Sequence, residues 1–507
     1  MNKRTLKSMF IMATSSVIGY LISLYLTSYI TENIGIEAYG FVSLSKTFAN
    51  YGNIITVALT AFMVRYISVH YHRDEIRESL SYYVSSINAS VILCVLLGFL
   101  FVAIVLNLEH IIRIPGDMTA SVKILFFFVF LGFITTTLST PFGIGFYIKN
   151  RLDLSGFIKI LSYISEVIVL LILFNIFEPD LWFVGVGIFA AAGTVLGGSY
   201  IANKKLVPEF KYDKRLFSGS KVKKLLGNGI WNSINQLGNT LNSGLDLFVS
   251  NALLSGMQTG QIAIAKNIGT MFSMLSGIVF QPLQPQLLRD YSDGVNEKFL
   301  KTMLKCMKLC GLVGSLAFSG FFAIGMLFFR LWLPNQDTDI LYSLTILTVF
   351  TYITDIFMQP IYYVSTLTVK NKIPCFITIV GGFLNVLGMY FLICYTSLGI
   401  YAVPITTVVI MFLINVFFNP VYACWCLKIK REFFYPLIIR HLLSTVAMCF
   451  VFRIIVAMLR PVNWLGFLLA VLILSVLGVL IYSALMLNAE ERTMLINKVL
   501  HVMRNRN

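Results

Sequence analysis

The sequence contains little charge and few acidic residues. Only 12% of its 507 residues are charged, with 23 Asp and Glu against 39 Lys and Arg, whereas 57% are hydrophobic. Soluble globular proteins carry about twice this share of charged residues, so the composition excludes that class. Ten-residue segments of alternating polarity are also lacking, which excludes a transmembrane β-barrel.

The common catalytic and metal-binding motifs are missing as well. No G-x-x-x-x-G-K-[ST], H-E-x-x-H or G-x-S-x-G segment occurs. The eight cysteines lie mostly in apolar runs, and their closely spaced pairs have no histidine nearby. Free thiols packed among helices are therefore the favoured interpretation. We expect no catalytic residue, no metal and no cofactor.

Apolar runs of the length that a transmembrane helix needs recur along the whole sequence. They predict an all-α integral membrane protein with no soluble domain. The 14 predicted spans are 9–31, 41–68, 80–107, 120–147, 154–176, 180–202, 226–252, 259–285, 303–330, 339–367, 374–396, 399–425, 436–459 and 463–487. The first span is too long for a signal-peptide core and lacks an A-x-A cleavage site, so we expect it to be retained.

Basic residues alternate from loop to loop. With the N-terminus inside, 27 of the 39 Lys and Arg residues lie in the inner segments, and only Arg113 and Arg460 lie in the outer loops. Because Lys and Arg accumulate in cytoplasmic loops, this alternation places both termini in the cytoplasm. Topology thus explains most of the formal charge of +16, and we expect no nucleic-acid partner.

The two halves of the chain resemble each other. Gly35–Gly40 followed by Lys46 matches Gly256–Gly260 followed by Lys266, and in both the lysine comes six residues after the second glycine. A proline and a Lys-Asn pair also recur at offsets of 219 and 221. Six spans return the chain to the same side, so the halves are predicted to be parallel repeats. Such repeats bind substrate between them and work by alternating access.

This repeat defines the predicted organisation. It comprises a first six-helix half (1–202), a basic cytoplasmic linker (203–225), a second six-helix half (226–426), an extra helix pair (427–487) and a cytoplasmic tail (488–507). The tail is expected to form a short helix on the membrane surface.

A line of polar residues marks predicted span 7. Its members are Asn228, Asn232, Asn235, Asn239, Asn242 and Asp246, spaced 4, 3, 4, 3 and 4 apart. On one helix this spacing puts them all on one face, which has to meet protein or water because hydrocarbon offers no hydrogen-bond partner. Interhelical hydrogen bonds are one interpretation. A water-filled cavity for a polar substrate is the favoured one, since six polar groups in register exceed what packing needs.

Charged residues inside the spans lean positive. The cations are Lys46, Arg65, Lys159, Lys266 and Arg453, and the acids are Glu166, Asp246 and Asp355. Snorkelling to the interface is an alternative for Lys46, Lys266 and Arg65, and pairing with the cations is an alternative for the acids. Lysine suits phosphate and asparagine suits sugar hydroxyls.

We therefore predict a substrate cavity for an anionic, hydroxyl-rich cargo. Its predicted residues are Lys46, Arg65, Lys159, Asn232, Asn235, Asn239, Asn242, Lys266 and Arg453. Asp246, Asp355 and Glu166 are candidates for binding a coupling H⁺ or Na⁺.

These features resemble the polysaccharide flippases of the multidrug/oligosaccharidyl-lipid/polysaccharide exporter superfamily. The resemblance rests on the 6+6+2 spans, the segment NIGIEAYGFVSLSK (33–46), its echo after span 7 and the basic linker. It covers the whole chain. One departure is Gly260–Gln261, where relatives often carry Gly-x-Tyr or Gly-Tyr.

The resemblance implies a function and a location. Its members move undecaprenyl-diphosphate-linked oligosaccharide units, the precursors of O-antigen (a part of lipopolysaccharide) or capsule, across the bacterial inner membrane from the cytoplasmic to the outer leaflet. Polysaccharide polymerase and chain-length proteins are candidate partners besides the lipid bilayer.

Three other classes remain as alternatives. An H⁺- or Na⁺-coupled multidrug/cation antiporter of the same superfamily would have an acidic cavity and usually twelve spans. A membrane polymerase or ligase would need a large outer loop or an essential His/Asp pair. A scaffold without transport would not need the polar stripe.

Overall fold

The computed structural model describes residues 3–488 and residue 491, with side chains described from residue 11 onward except at positions 13, 228 and 243. The helices up to residue 253 are α1 (Lys3–Ile34), α2 (Ile36–Tyr51), α3 (Asn53–Thr60), α4 (Met63–His72), α5 (Ile76–Leu106), α6 (Leu108–Ile111), α7 (Thr119–Ser139), α8 (Ile144–Ile148), α9 (Leu152–Ile176), α10 (Trp182–Leu206), α11 (Gly219–Ser243) and α12 (Asp246–Leu253). Those beyond are α13 (Gly256–Phe280), α14 (Gln284–Ser292), α15 (Glu297–Trp332), α16 (Thr338–Leu367), α17 (Lys372–Tyr395), α18 (Ala402–Phe412), α19 (Asn419–Leu427), α20 (Tyr435–Leu459) and α21 (Trp464–Met486).

The all-α prediction is confirmed, and the chain is a multi-pass membrane protein. Within residues 3–488, twelve segments are helical, long and apolar enough to cross a membrane. Their outer faces are apolar too: Leu465, Leu472 and Val476 of α21 are each more than 60% exposed, which only contact with lipid makes favourable. The helices at predicted spans 9–31 and 226–252 are not among the twelve, so the count of 14 stays a prediction.

Predicted spans 41–68 and 226–252 are each broken into shorter helices. The segment predicted as 41–68 begins at Ile36 and is interrupted after Tyr51 and again at Ala61 and Phe62. The segment predicted as 226–252 begins earlier, at Gly219, and is interrupted at Gly244 and Leu245. Hydropathy alone does not reveal such breaks, because each takes only one or two residues and leaves the apolar run intact.

The described helices form two compact units. Unit 1 comprises Met1–Ala263 and Thr378–Tyr390, and unit 2 comprises Ile264–Ile377 and Phe391–Asn507. In unit 1, α10 packs on α7 and α9, α1 packs on α9, and α11 packs on α3. In unit 2, α15 packs on α16, α20 and α21.

The predicted linker is largely ordered against unit 1. Only residues 207–218 lie between α10 and α11. Ser81 of α5 donates a hydrogen bond to the carbonyl oxygen of Leu216 (2.7 Å), and the amide of Ser218 donates to the hydroxyl of Ser85 (2.9 Å). Further along, Tyr71 donates to Glu209 (2.6 Å). This segment is therefore fixed along α5 and α4.

The predicted tail helix (488–507) falls almost entirely outside the described residues. Glu491 is described, and its carboxylate accepts a hydrogen bond from the ammonium of Lys308 on α15 at 2.7 Å. The Lys308 hydrogen bond lowers the pKa of Glu491 against the opposing effect of its partial burial.

The two copies of the glycine motif contact each other within unit 1. A Cβ at Gly40 of α2 would lie 2.9 Å from the amide nitrogen of Gly260. A Cβ at Gly260 would clash with the carbonyl oxygen of Ile36, and one at Gly256 would clash with the side chain of Glu37. Small residues let helix backbones approach this closely. The repeat found in the sequence thus marks a backbone crossing of α2 and the start of α13.

In unit 2 a buried histidine joins four helices. The ring of His441 on α20 stacks on Phe357 of α16, with centroids 4.1 Å apart. Its Nε2 lies 3.1 Å from the carbonyl oxygen of Ile353, and its Nδ1 lies 3.2 Å from the hydroxyl of Tyr482 on α21. Because a carbonyl only accepts, Nε2 carries the proton and Nδ1 accepts from Tyr482. The network includes Ser315 of α15 and so joins α15, α16, α20 and α21 within unit 2.

Replacement of Gly260 by alanine should destabilise the protein. The added Cβ meets the Ile36 carbonyl oxygen and forces the two helices apart, which costs about 1–3 kcal/mol. The thermal unfolding midpoint in detergent should fall by about 3 °C or more. Gly320→Ala is the matched control, since no atom lies within 4 Å of its added Cβ. Equal midpoints for the two variants would contradict the crossing.

His441→Leu should lower stability by about 1–2 kcal/mol, because it leaves the Ile353 carbonyl and the Tyr482 hydroxyl without their partner in a buried site. We expect a lower midpoint of thermal unfolding, with a smaller loss for Tyr482→Phe. His110→Leu is the control, since His110 is exposed. A His441→Leu midpoint no lower than that of the control would show that the network contributes nothing to stability.

Candidate functional site

The residues predicted to bind substrate or ions divide between the two units. Unit 1 holds Lys46, Arg65, Lys159, Glu166, Asn232, Asn235, Asn239, Asn242 and Asp246, and unit 2 holds Lys266, Asp355 and Arg453. Unit 1 therefore contains all of the predicted amides and most of the predicted cations.

Lys46 of α2 meets Glu166 of α9. The Lys46 ammonium lies 4.0 Å from the Glu166 carboxylate, and the side chains are 49% and 15% exposed. Glu166 is near the middle of the 25-residue helix α9, about 15 Å from its C-terminal end. The Lys46 ammonium therefore lies level with the middle of α9 in this structure. This position argues against snorkelling of Lys46 to the outer interface.

The same face of α9 carries two further polar side chains. Lys159 is exposed and lies seven residues before Glu166, which is two helical turns. Tyr163 lies between them and packs against Gly19 of α1, where a Cβ would be 2.6 Å from the tyrosine ring. Lys159, Tyr163 and Glu166 thus form one row, and Lys46 joins it from α2.

The asparagine stripe separates into two groups. Asn232, Asn235 and Asn239 of α11 are exposed, whereas Asn242 is buried. The side-chain amide of Asn242 donates to the carbonyl oxygen of Thr378 on α17 at 2.6 Å. In return, the side chain of Asn385 donates to the carbonyl oxygen of Asn242 at 2.8 Å. Asn242 therefore joins two helices, while the exposed asparagines remain candidates for substrate binding.

Asp246 does not share a helix with the asparagines, contrary to the sequence prediction. α11 ends at Ser243, and Asp246 begins α12 with 7% of its surface exposed. Tyr51 is close enough to interact electrostatically with the Asp246 carboxylate and donates a hydrogen bond to the carbonyl oxygen of Gly244 at 2.8 Å. The side chain of Asn228 lies outside the described set. The stripe on α11 thus consists of four described asparagines.

In unit 2, Asp355 of α16 has polar neighbours on two helices. Gln359, one turn later, donates a hydrogen bond to its carboxylate at 3.4 Å. Tyr362 and Ser276 of α13 also lie near the carboxylate, although neither hydroxyl makes a hydrogen bond within the described residues. Asp355 thus has polar neighbours on two helices, and its carboxylate oxygens are the group that could bind a small cation.

The remaining predicted cations differ in their surroundings. Arg65 of α4 is exposed, and Lys266 of α13 is half-buried. Arg453 of α20 is exposed, and its guanidinium lies 5.5 Å from the centre of the Phe322 ring on α15. This distance is within the range of a cation–π interaction, so Arg453 has a contact that serves packing.

Sequence reasoning missed two polar residues. Asn385 is fully buried and donates a hydrogen bond to Asn242. In the sequence it stands out only as a single amide within an otherwise apolar run. His441 is likewise fully buried, and its signal was Ser444 and Thr445 beside it on a lipid-length helix.

Exposed ammonium and amide groups can bind phosphate and hydroxyls. Within residues 11–488, no group of three or more His, Cys, Asp or Glu side chains could hold a metal.

The polysaccharide biosynthesis protein family matches residues 5–287 of the chain. The chain belongs to this family, and the resemblance derived from its sequence is confirmed. A relative from Bacillus subtilis (strain 168), described as the uncharacterized membrane protein EpsK, is 27% identical over 488 residues and is matched over 96% of both chains.

Solved transporters have the same fold. The structure of lipid II flippase MurJ in an inward closed conformation superposes with a TM-score of 0.68 at 14% identity, over 94% of this chain and 98% of that one. An inward-facing multidrug resistance MATE family transporter of the MOP superfamily gives 0.62 at 14% identity, over 84% of this chain and 99% of that one. The fold is therefore that of this group of membrane transporters.

Asn242→Ala should destabilise the protein, whereas Asn239→Ala should not. Asn242→Ala removes a buried interhelical hydrogen bond and should lower the free energy of unfolding by about 1 kcal/mol. Asn239→Ala changes an exposed side chain on the same face and should leave thermal stability within about 0.5 kcal/mol of wild type. Thermal unfolding in detergent measures both. Equal losses would mean that Asn239 is a packing residue as well.

Proposed function

We propose that the chain is a flippase that moves polyprenyl-diphosphate-linked oligosaccharide units, the precursors of O-antigen or capsule, from the cytoplasmic to the outer leaflet by alternating access. Family membership supports the polysaccharide pathway. The shared fold with a lipid II flippase supports a lipid-linked cargo. Transporter neighbours also favour transport over catalysis.

The observation that carries the proposal is a set of exposed cationic and amide side chains on helices of unit 1. Lys46 and Lys159 supply the positive charge, and Asn232, Asn235 and Asn239 supply amides. An exposed ammonium in a membrane segment costs several kcal/mol unless water or a polar ligand meets it. Phosphate oxygens and sugar hydroxyls are ligands of this kind.

Physical chemistry supports the direction and the lateral route. A diphosphate carries about two negative charges, and an inside-negative potential drives each outward by about 2.3 kcal/mol per 100 mV. The polyprenyl tail is too long to be enclosed and remains in lipid. We place its lateral opening beside α20 and α21, whose outer faces are apolar.

The remaining assignments belong to the same proposal. Lys46, Arg65, Lys159, Asn232, Asn235, Asn239, Asn242, Lys266 and Arg453 are the proposed substrate residues, with Asn242 and Arg453 acting through packing. Asp246, Asp355 and Glu166 are the proposed sites for a coupling ion, and the surroundings of Asp355 suit that role best. We place the protein in the bacterial inner membrane with both termini cytoplasmic. Polysaccharide polymerase and chain-length proteins are its proposed partners.

A coupled multidrug/cation antiporter is the second candidate. The MATE transporter fold favours it, as does a carboxylate with a polar neighbour inside a membrane helix at Asp355. Its cavity would need a net negative charge to hold a cationic drug. The predicted set of five cations and three acids has the opposite sign.

Lys266→Ala should reduce transport in proteoliposomes that contain a diphosphate-linked oligosaccharide lipid. Loss of one charge–phosphate contact is worth about 1.5–3 kcal/mol, so the rate should fall at least about tenfold. Asp246→Asn should slow transport only if this carboxylate binds the coupling ion. Lys211→Ala is the control, since Lys211 is exposed in the segment between α10 and α11.

One outcome would contradict the proposed function, and another would correct its site. Wild type that moves no such lipid but exchanges a cationic dye for protons would establish the antiporter instead. Wild type that moves the lipid at a rate unchanged by Lys266→Ala would remove Lys266 from the site.

A further inference from the structure

Lys46 and Glu166 form a loose pair. Their 4.0 Å separation exceeds the 2.7–2.9 Å of a charge-assisted hydrogen bond. Lys308 and Glu491 show what a closed pair looks like in this protein, at 2.7 Å with side chains only 10% and 21% exposed. Lys46 keeps 49% of its side-chain surface accessible, so a second anion can reach its ammonium without displacing protein atoms.

The two partners differ in mobility. Glu166 is held on a helix that packs closely against α10: a Cβ at Gly187 would lie 3.3 Å from the Glu166 carbonyl oxygen and 3.6 Å from its Cγ. Lys46 has a flexible four-carbon stem. An ion pair between a fixed carboxylate and a flexible ammonium opens by movement of the lysine.

Lys159 places a second cation near this pair. Lys159 lies on the same face of α9 as Glu166, two turns earlier and about 10 Å away along the helix. Tyr163 lies near Glu166 and is itself near Tyr20 of α1. A diphosphate placed here would meet Lys46 and Lys159, with Glu166 as the competing negative charge.

We propose that Glu166 is an internal counter-ion for Lys46, which pairs with the ammonium when no lipid is bound and is exchanged for the diphosphate when lipid binds. This inference rests on the proposed flippase function. An unpaired ammonium at this depth is costly, so Glu166 stabilises the empty carrier. When Lys46 returns to Glu166, the diphosphate loses its partner and leaves. Glu166 thus weakens binding and speeds release.

The test compares Glu166→Gln with wild type in proteoliposomes. The amide has the same shape and no charge. We expect the apparent affinity for a diphosphate-linked oligosaccharide lipid to rise about tenfold and the maximal flipping rate to fall. Glu166→Asp keeps the charge and should remain close to wild type. Glu178→Gln, which changes an exposed acid in the loop after α9, should have no effect.

A second variant makes the result specific. If the gain comes from Lys46, it has to vanish in Lys46→Ala/Glu166→Gln, since the double-variant cycle isolates the pair. Binding of a short-chain polyprenyl diphosphate to the purified variants gives a readout independent of transport. Unchanged affinity in Glu166→Gln would overturn the proposed counter-ion role of Glu166, and so would a gain in affinity that persists when Lys46 is also replaced by alanine. In either case, flipping by wild type would still support the proposed function. Wild type that neither binds nor flips the lipid would overturn both.

Discussion

The cost of placing a polar group in hydrocarbon governs this molecule. Lipid supplies no hydrogen bonds, so each polar side chain on a membrane helix has to find a partner in the protein, in water or in a ligand. Asn242 finds the Thr378 carbonyl on a neighbouring helix, and His441 finds Ile353 and Tyr482. Lys46 meets Glu166 and still keeps 49% of its side chain exposed, so water or a ligand can meet its charge as well.

Burial therefore separates residues that look alike in the sequence into buried packing residues and exposed candidates for binding. Along α11 the asparagines look alike in sequence, yet Asn242 joins α11 to α17. Asn232, Asn235 and Asn239 are exposed instead. Packing fixes the helices, and the fixed helices then hold the exposed groups in place. α9 shows the same division: Gly156 and Ile158 are buried, whereas Lys159 one residue later is exposed.

The sequence predicts the helices well where length and hydropathy determine the ends of a helix. The ends of α9, α16, α20 and α21 lie within two residues of their predicted ends, because an apolar run of this length has one stable conformation in a bilayer. The breaks at Gly52 and Gly244 escaped it, since they depend on neighbouring helices: the ring of Phe133 occupies the space beside Gly52. For the site, residue types were predictable, but the pairing of Lys46 with Glu166 was not, because the partners are 120 residues apart.

The crossing of the two glycine motifs has a consequence for how the halves diverge. A surface that meets its own copy is the contact of a two-fold homodimer, in which any substitution occurs on both sides at once. Here both copies belong to one chain and are encoded separately. The backbone contact needs only Gly40 and Gly260, so neighbouring positions can differ, and Phe41 stands where the other copy has Gln261. Residues beside each motif can thus change independently while the contact between the two motifs stays the same.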